Sequence, residues 1–425
     1  MEQTYEPMWE SLGLDLQAQD VLLQTLGKFY TGIFLAQRNR PEGMKYFDFV
    51  MSEVHGLRVK ELLDGKEQGH KVVGAFCVFV PEEIVRASGA TMVGLCTGAE
   101  FATDEVERLL PRNTCALIKS AFGFKLGKAC PYIEACDLVV GENTCDGKKK
   151  SYDELGKLLG NLYVMDLPQM KTEQGRALLK SEYHRFKDKM ESFTGNEIDA
   201  DALKRGIAIT NRKRTAVHRL NALRLADPAP ISGLDALLIN QVFFYDDPER
   251  FSGSVEKICD EVDMRVGKGE GVFPAGTPRI LMSGCPMAVP NWKVPWIVET
   301  SGAVIVGEES CVGERGTRNL TADGNGSVDA LMDNIVNRYF DIDCAIFTPN
   351  EDRLKHIVEM YEQYHANGVI HYSLQFCQPY QIESMSVEAE LEKRGIPVLR
   401  LETDYSMEDV EQLRTRIQAF IERIS

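Results

Sequence analysis

Eleven cysteines are the residues of this sequence best suited to chemistry. None forms a Cys-x-x-Cys pair, so neither a redox dithiol nor the usual paired zinc ligation is encoded. The closely spaced cysteine run of a ferredoxin is absent as well. The chain carries distant single thiols instead. Six of them, Cys77, Cys96, Cys145, Cys285, Cys311 and Cys377, each close a short apolar run that reads as a strand. Ligands of open parallel sheets bind outside the carboxyl ends of the strands. Two such sheets facing each other would deliver these thiols, each on its own loop, to one cleft. That pattern suits an iron–sulfur cluster enclosed between domains, because thiolates are the soft ligands that iron–sulfur clusters require. Cys136, Cys259 and Cys344 lie in helical or apolar patterns and read as ordinary buried thiols, which behave as small apolar residues.

The elements that must position these cysteines are legible from periodicity. Residues 1–66 read as a helical segment, with apolar residues at helical spacing in LQAQDVLLQTLGKF and MKYFDFVMSEVHGL. Residues 67–167 then alternate strands and helices, the mark of a parallel α/β sheet. Their strands are KVVGAFCVFV, ATMVGLC, DLVVGENTC and NLYVMDLP, and Pro81, Glu82 and Glu83 look like a helix start. Residues 168–265 turn helical again, and 266–278 have the Gly/Pro content of a linker. Residues 279–425 form a second α/β block with strands PRILMSGC, GAVIVGEESC, CAIFTP, GVIHYSLQFC and IPVLRLE, closed by a helix for which Ser406 is the expected N-cap. The expected fold is therefore α/β: two doubly wound, flavodoxin-like or Rossmann-like parallel-sheet domains with helical N-terminal and middle additions, and the cluster in the cleft between them. Val140-Gly-Glu-Asn-Thr-Cys145 recurs as Val306-Gly-Glu-Glu-Ser-Cys311, which suggests equivalent positions on the two domains.

Length and charge exclude several classes. The 425 residues suffice for two to four domains. Lys plus Arg is 48 and Asp plus Glu is 64, a formal charge of −16 that argues against nucleic acid as the main partner. No apolar stretch reaches the roughly 18–20 residues of a membrane-spanning helix. The acidic start lacks a signal-peptide layout. The expected compartment is the reducing cytoplasm, where structural disulfides are rare.

Longer motifs add a resemblance. LPRNTCALIKSAFGF (110–124) followed by ACDLVVGENTCDGKKK (135–150) resembles the 2-hydroxyacyl-CoA dehydratase and benzoyl-CoA reductase superfamily, and GVIHYSLQFCQPY supplies that family's third cysteine. The resemblance implies that Cys115, Cys145 and Cys377 hold a four-iron cubane. FCVFVPEEI, GLCTG, CPYIEACDLVVGENTCDGKKK and SGCPMAVPNWK resemble the double-cubane cluster branch more narrowly. That branch implies an 8Fe-9S double-cubane cluster, and otherwise a single 4Fe-4S cluster. It also implies a homodimer and a separate ATP-hydrolysing iron–sulfur reductase as activator. Consistently, this chain has no G-x-x-x-x-G-K-[ST] phosphate loop. For a second cubane the favoured thiols are Cys77, Cys285 and Cys311, with Cys96 and Cys130 as competitors.

The function expected is an iron–sulfur reductase that takes low-potential electrons from its partner and reduces a small unsaturated molecule. The alternatives are a 2-hydroxyacyl-CoA dehydratase subunit with one 4Fe-4S cluster, or a non-catalytic electron carrier. Glu83, at its helix start, is the candidate proton donor, although an acid there also complements the helix dipole. Lys148, Lys149 and Lys150 would offset an anionic cluster or form a solvated loop. Lys119 and Ser120 either tune the cluster through hydrogen bonds or serve capping and surface roles. His371 reads as a packed strand residue. The basic run Lys204, Arg205, Arg212, Lys213, Arg214, Arg219 and Arg224 reads as one solvated helix face, or as a docking surface.

Overall fold

Short valine- and isoleucine-rich runs form eight strands in the computed structural model, which describes residues 4–324 and 326–425. β1 (Val72–Ala75), β2 (Thr91–Gly94), β3 (Leu138–Glu142) and β4 (Leu162–Met165) make one sheet in the order β2-β1-β3-β4. β5 (Arg279–Gly284), β6 (Val304–Glu309), β7 (Gly368–Leu374) and β8 (Val398–Thr403) make a second in the order β6-β5-β7-β8. Every pairing is parallel. β1, β3, β5, β6 and β7 are buried along their whole length, as a sheet covered by helices on both faces requires. The two sheets are flavodoxin-like, with the chain reversing direction across each sheet beside its first strand.

The loops at the carboxyl ends of the two sheets meet. Gly98 N–H, beyond β2, donates to the Val289 carbonyl beyond β5 at 2.8 Å. Gln169, beyond β4, accepts from Thr348 N–H at 3.0 Å. A Cβ at Gly98 would stand 2.2 Å from the Ala288 carbonyl oxygen, so only glycine fits this approach.

Two sets of helices clasp the sheets. Leu16–Tyr30 and the π-helical turn Thr31–Leu35 stack Phe29, Tyr30 and Phe34 around the buried Trp292 of the second block. Ala200–Leu223 packs on Glu82–Ala87 of the first block, with Gly206 against the Glu83 carbonyl. The helix Gly233–Val242 is buried throughout. No helix of the described residues is long and apolar enough to cross a membrane.

Three local expectations are corrected. CAIFTP (344–349) is a turn, and β7 follows only at Gly368. The last helix begins at Val410, not beside Ser406, because the Asp409 carboxylate is held by Lys293 at 2.6 Å and by Thr403. The basic run is neither one solvated face nor one free surface. Lys213, Arg214 and Arg224 are buried in ion pairs with Glu82, Glu83 and Glu308, whereas Arg212 and Arg219 pair with acids at the surface.

Candidate functional site

Strand ends and helix starts carry the cysteines to one place. Cys115, Cys145 and Cys377 are the N-cap residues of the helices Ala116–Leu126, Asp146–Leu159 and Gln378–Lys393. The unpaired N–H groups and positive dipole end of a helix favour a thiolate, and Lys148 N–H donates to Cys145 Sγ at 3.4 Å. Phe376 is held at φ 63°, in the left-handed region, immediately before Cys377. Such strain at a non-glycine residue costs about 1–3 kcal/mol and persists where the surroundings fix it. Cys285 follows β5 directly; its N–H donates to the Tyr372 carbonyl and its Sγ accepts from Leu374 N–H at 3.4 Å.

These thiols converge on a cavity of about 1180 Å³. Eight cysteines line it: Cys77, Cys96, Cys115 and Cys145 from the first block, and Cys285, Cys311, Cys344 and Cys377 from the second. Cys115 and Cys377 are close enough to perturb each other's ionisation, and Cys377 neighbours Cys285 in the same way. Cys311 and Cys344 neighbour each other likewise, and Cys77 lies close enough to both to act on them electrostatically. The two clusters of thiols each draw on both sheets. All six cysteines expected as ligands are therefore brought to one cavity. Cys130 caps the short helix Pro131–Ala135 and, with Cys136 and Cys259, packs in the core.

Cys344 is the residue the sequence pattern hid. It lies on the turn whose composition reads as a strand, beside Cys311 and with its Sγ 3.8 Å from the Tyr380 hydroxyl. A signal was present: Cys344 falls between the second and third strands of its sheet, as Cys115 does in the first. Sheet order pairs Cys77 with Cys285, Cys96 with Cys311, Cys115 with Cys344 and Cys145 with Cys377. The echo motif points elsewhere. Cys145 follows the third strand of its sheet and Cys311 the second, so the two motifs occupy non-equivalent positions.

The surroundings set the protonation of the thiols. Burial pushes the Cys77 thiol up to about 11 and raises Cys96. The neighbouring Cys377 thiol, together with burial, raises Cys115. Cys311 moves the other way, lowered by the neighbouring Cys344 thiol and by the Arg315 guanidinium 3.6 Å from its Sγ. Arg315 is fully buried and pairs with Glu309, which also receives Arg353.

Glu83 is not at the cavity. It is fully buried, 2.7 Å from Arg214 Nη1 and 2.7 Å from the Thr321 hydroxyl. Burial opposes its ionisation, but Arg214 and Arg338 outweigh burial and hold its carboxyl down at about 2. A carboxylate so held carries no proton to donate, and this corrects the expected role. Its neighbour Glu82 lines the cavity, bound to Lys213 at 2.8 Å. Lys148 lines the cavity too, paired with Glu142, whereas Lys150 pairs with Asp153. Ser120 bonds Thr97 and the Ala99 carbonyl, and Lys119 bonds Glu107, which are structural contacts. His371 is packed inside β7, where burial lowers it to about 3.

Residues 77–424 match the family model described as 2-hydroxyglutaryl-CoA dehydratase, D-component. The chain belongs to this family. It is 38% identical over 366 residues to the putative dehydratase subunit YjiM of Escherichia coli (strain K12), covering 85% of this chain and 94% of that protein. It is 26% identical over 363 residues to the (R)-phenyllactyl-CoA dehydratase beta subunit of Clostridium sporogenes, covering 84% and 93%. It is 19% identical over 363 residues to a benzoyl-CoA reductase subunit of Thauera aromatica, covering 84% and 92%. The matched region begins at Cys77 and takes in all eight cavity cysteines and every strand of the two sheets except β1.

The cavity also bears on what kind of group fits it. Among the described residues no three of His, Cys, Asp and Glu are gathered closely enough for a single metal ion. Eight thiols spread round one cavity instead match a polynuclear cluster, in which different irons take different thiolates. Carboxylates such as Glu82, Asp146 and Glu383 line the cavity as well, but the eight sulfurs are the soft donors such a cluster demands.

Proposed function

We infer that this protein is an iron–sulfur reductase built round an 8Fe-9S double-cubane cluster. The observation that carries the reading is the count and placement of thiols. A cubane uses at most four cysteines, and eight line this cavity in two clusters. Cys115, Cys145, Cys377 and Cys285 would hold one half, and Cys77, Cys311 and Cys344 the other, with Cys96 beside them. Cys96 is the weaker candidate because its Sγ is turned to the Phe76 carbonyl at 2.8 Å. Bound there, the cluster supplies one-electron chemistry at low potential. The protein's own part is to offer thiolates at three helix N-termini, to place Arg315 on Cys311, and to shield the site within apolar walls such as Leu117, Ile118, Ile346 and Phe347.

The electrons would come from an ATP-hydrolysing iron–sulfur reductase, a separate chain, and the protein would act as a homodimer. The substrate would be a small unsaturated molecule. The relatives named as dehydratase subunits favour a second reading, a subunit with one 4Fe-4S cluster acting on an acyl-CoA thioester. At least four of the eight cavity thiols would then be idle.

Iron and acid-labile sulfide in freshly purified anaerobic protein separate the two. About eight irons per chain are expected for the double cubane, and about four would move the assignment to the dehydratase subunit. Addition of ATP with the partner reductase should reduce the cluster, and ATP with a simple donor should not. Reduction without the second protein would refute the division of labour.

A further inference from the structure

The charge around the cavity is uneven. Arg214 and Arg338 line the cavity, Arg315 stands 3.6 Å from Cys311 Sγ, and behind them Arg86 and Lys213 pair with the lining Glu82 and Arg353 with the lining Glu383, all six cations buried or nearly so. Four carboxylates, Glu82, Glu83, Glu309 and Glu383, take up their ion pairs. Six cations thus face four acids, in a chain whose overall charge is −16. Two cations are therefore in excess, and the one without a carboxylate in ion-pair contact is Arg338. It is 4% exposed and lines the cavity. Its Nε donates to the Asn319 carbonyl at 3.2 Å, its Nη2 donates to the Gly316 carbonyl, and its guanidinium lies 4.4 Å from the Tyr339 ring centre. No described carboxylate lies within ion-pair distance of it. Gly316 itself backs onto Cys311, since a Cβ there would stand 2.4 Å from the Cys311 carbonyl oxygen. Arg338 therefore grips the turn that carries Cys311.

The opposite side differs. At Cys145 and Cys285 the hydrogen bonds to sulfur come from backbone N–H groups, those of Lys148 and Leu374. The Lys148 ammonium, paired with Glu142, lies over the Phe76 ring beside Cys77 and so adds no cation at Cys145 or Cys285. Arg338 shares the field of Glu83 with Arg214, so the pair of cations exceeds that one carboxylate, and an excess cation in a low-dielectric interior favours added negative charge nearby. Local net charge and hydrogen bonds to sulfur are among the quantities that set a cluster's reduction potential.

We propose that Arg338, together with Arg315, makes the Cys77/Cys311/Cys344 side the more readily reduced side of the cavity, so that of two cubanes the one held there has the higher reduction potential. This rests on the double-cubane reading. Arg315 acts through its contact with Cys311 Sγ. Arg338 acts as a positioning residue, through its charge and through the 311–316 turn.

The test is an anaerobic potentiometric titration followed by electron paramagnetic resonance, on the parent and on Arg338→Met, Arg338→Gln and Arg338→Lys. Gln keeps an amide to donate to the Gly316 carbonyl, so it guards against a Met variant that fails to fold. The parent should show two couples. Met and Gln should move the higher one to more negative potential, leave the other in place and keep the parent iron content. Lys, which keeps the charge, should restore the higher couple. A shift of both couples together, no shift in Met or Gln, or a Lys variant that behaves like Met would each overturn the assignment. About four irons and a single couple in the parent would overturn the double-cubane reading itself, a result distinguishable by iron content.

Discussion

Replacing Cys344 by Ala separates a cluster thiolate from a core thiol most sharply, because Cys259 provides a matched control. Both cysteines are buried, at 6% and 0% exposure. Removing either sulfur from a packed interior should cost about 1 kcal/mol of stability in the iron-free protein. The Cys344 contact to the Tyr380 hydroxyl, at 3.8 Å, is too long and weak to add much. The variants should therefore look alike by chemical denaturation without iron. They should part once iron is present. Without Cys344 its side of the cavity is left with Cys77 and Cys311, since Cys96 turns its Sγ to the Phe76 carbonyl, and two thiolates are too few to hold four irons. Iron should fall from about eight to about four per chain in Cys344→Ala and stay at the parent value in Cys259→Ala. Iron and sulfide assays on anaerobic protein read this directly. Full iron occupancy in Cys344→Ala would refute the placement of a cluster thiolate on the 344–349 turn.

A buried acid gives a pH dependence of known sign. Burial raises Glu299 to about 7 although it accepts from the Gly233, Leu234 and Ile305 N–H groups; the folded protein thus holds a proton that the unfolded chain has lost above about pH 4.5. Its contribution should fall as pH rises from about 4.5 to 7, by about 3 kcal/mol in all, and the stability difference between parent and Glu299→Gln in urea titrations should follow that slope; a difference constant with pH would contradict it. Gly284 sits at φ 129° immediately before Cys285, and a Cβ there would lie 1.9 Å from the Tyr372 carbonyl oxygen, whereas Gly276 at φ 75° has open space around it. Gly284→Ala should cost about 3 kcal/mol or more and Gly276→Ala about 1 kcal/mol, compared by thermal unfolding; equal losses would mean that the β5–β7 contact does not constrain Gly284.

The strands and most strand-end cysteines were legible because each signal is local. A valine-rich run between turns says strand, and the residue that ends it says which loop it enters. The failures share the opposite property. CAIFTP is apolar because it packs on the core, with Phe347 6.2 Å from the Phe79 ring, and composition alone cannot distinguish a buried turn from a strand. Glu83 has the local pattern of a helix start, but its environment is fixed by Arg214, which lies 131 residues away in the chain. The Val-Gly-Glu echo is a likeness of two strand ends, and only sheet order shows that one belongs to a second strand and the other to a third. The basic helix looked solvated because its acids lie on other elements.

The helical additions carry a further consequence of the same long-range pairing, since each braces one of the two first-strand loops. In the first sheet, Cys77 leads into Glu82 and Glu83, and those two acids are locked by Lys213 and Arg214 of the Ala200–Leu223 helix. In the second, Cys285 leads into Trp292, which is enclosed by Phe29, Tyr30 and Phe34 from the N-terminal helices. One brace is ionic and the other aromatic, yet they fall at equivalent places, a few residues beyond the first strand of each sheet. A loop that must hold a thiol toward a shared cavity cannot be left to its own hydrogen bonds. Breaking the buried Arg214–Glu83 pair by removing one partner would leave an uncompensated charge at a cost of about 3–5 kcal/mol, and it would loosen the Cys77 side first. The middle and N-terminal helices are for this reason part of the site, although none of their residues is a cysteine that lines it.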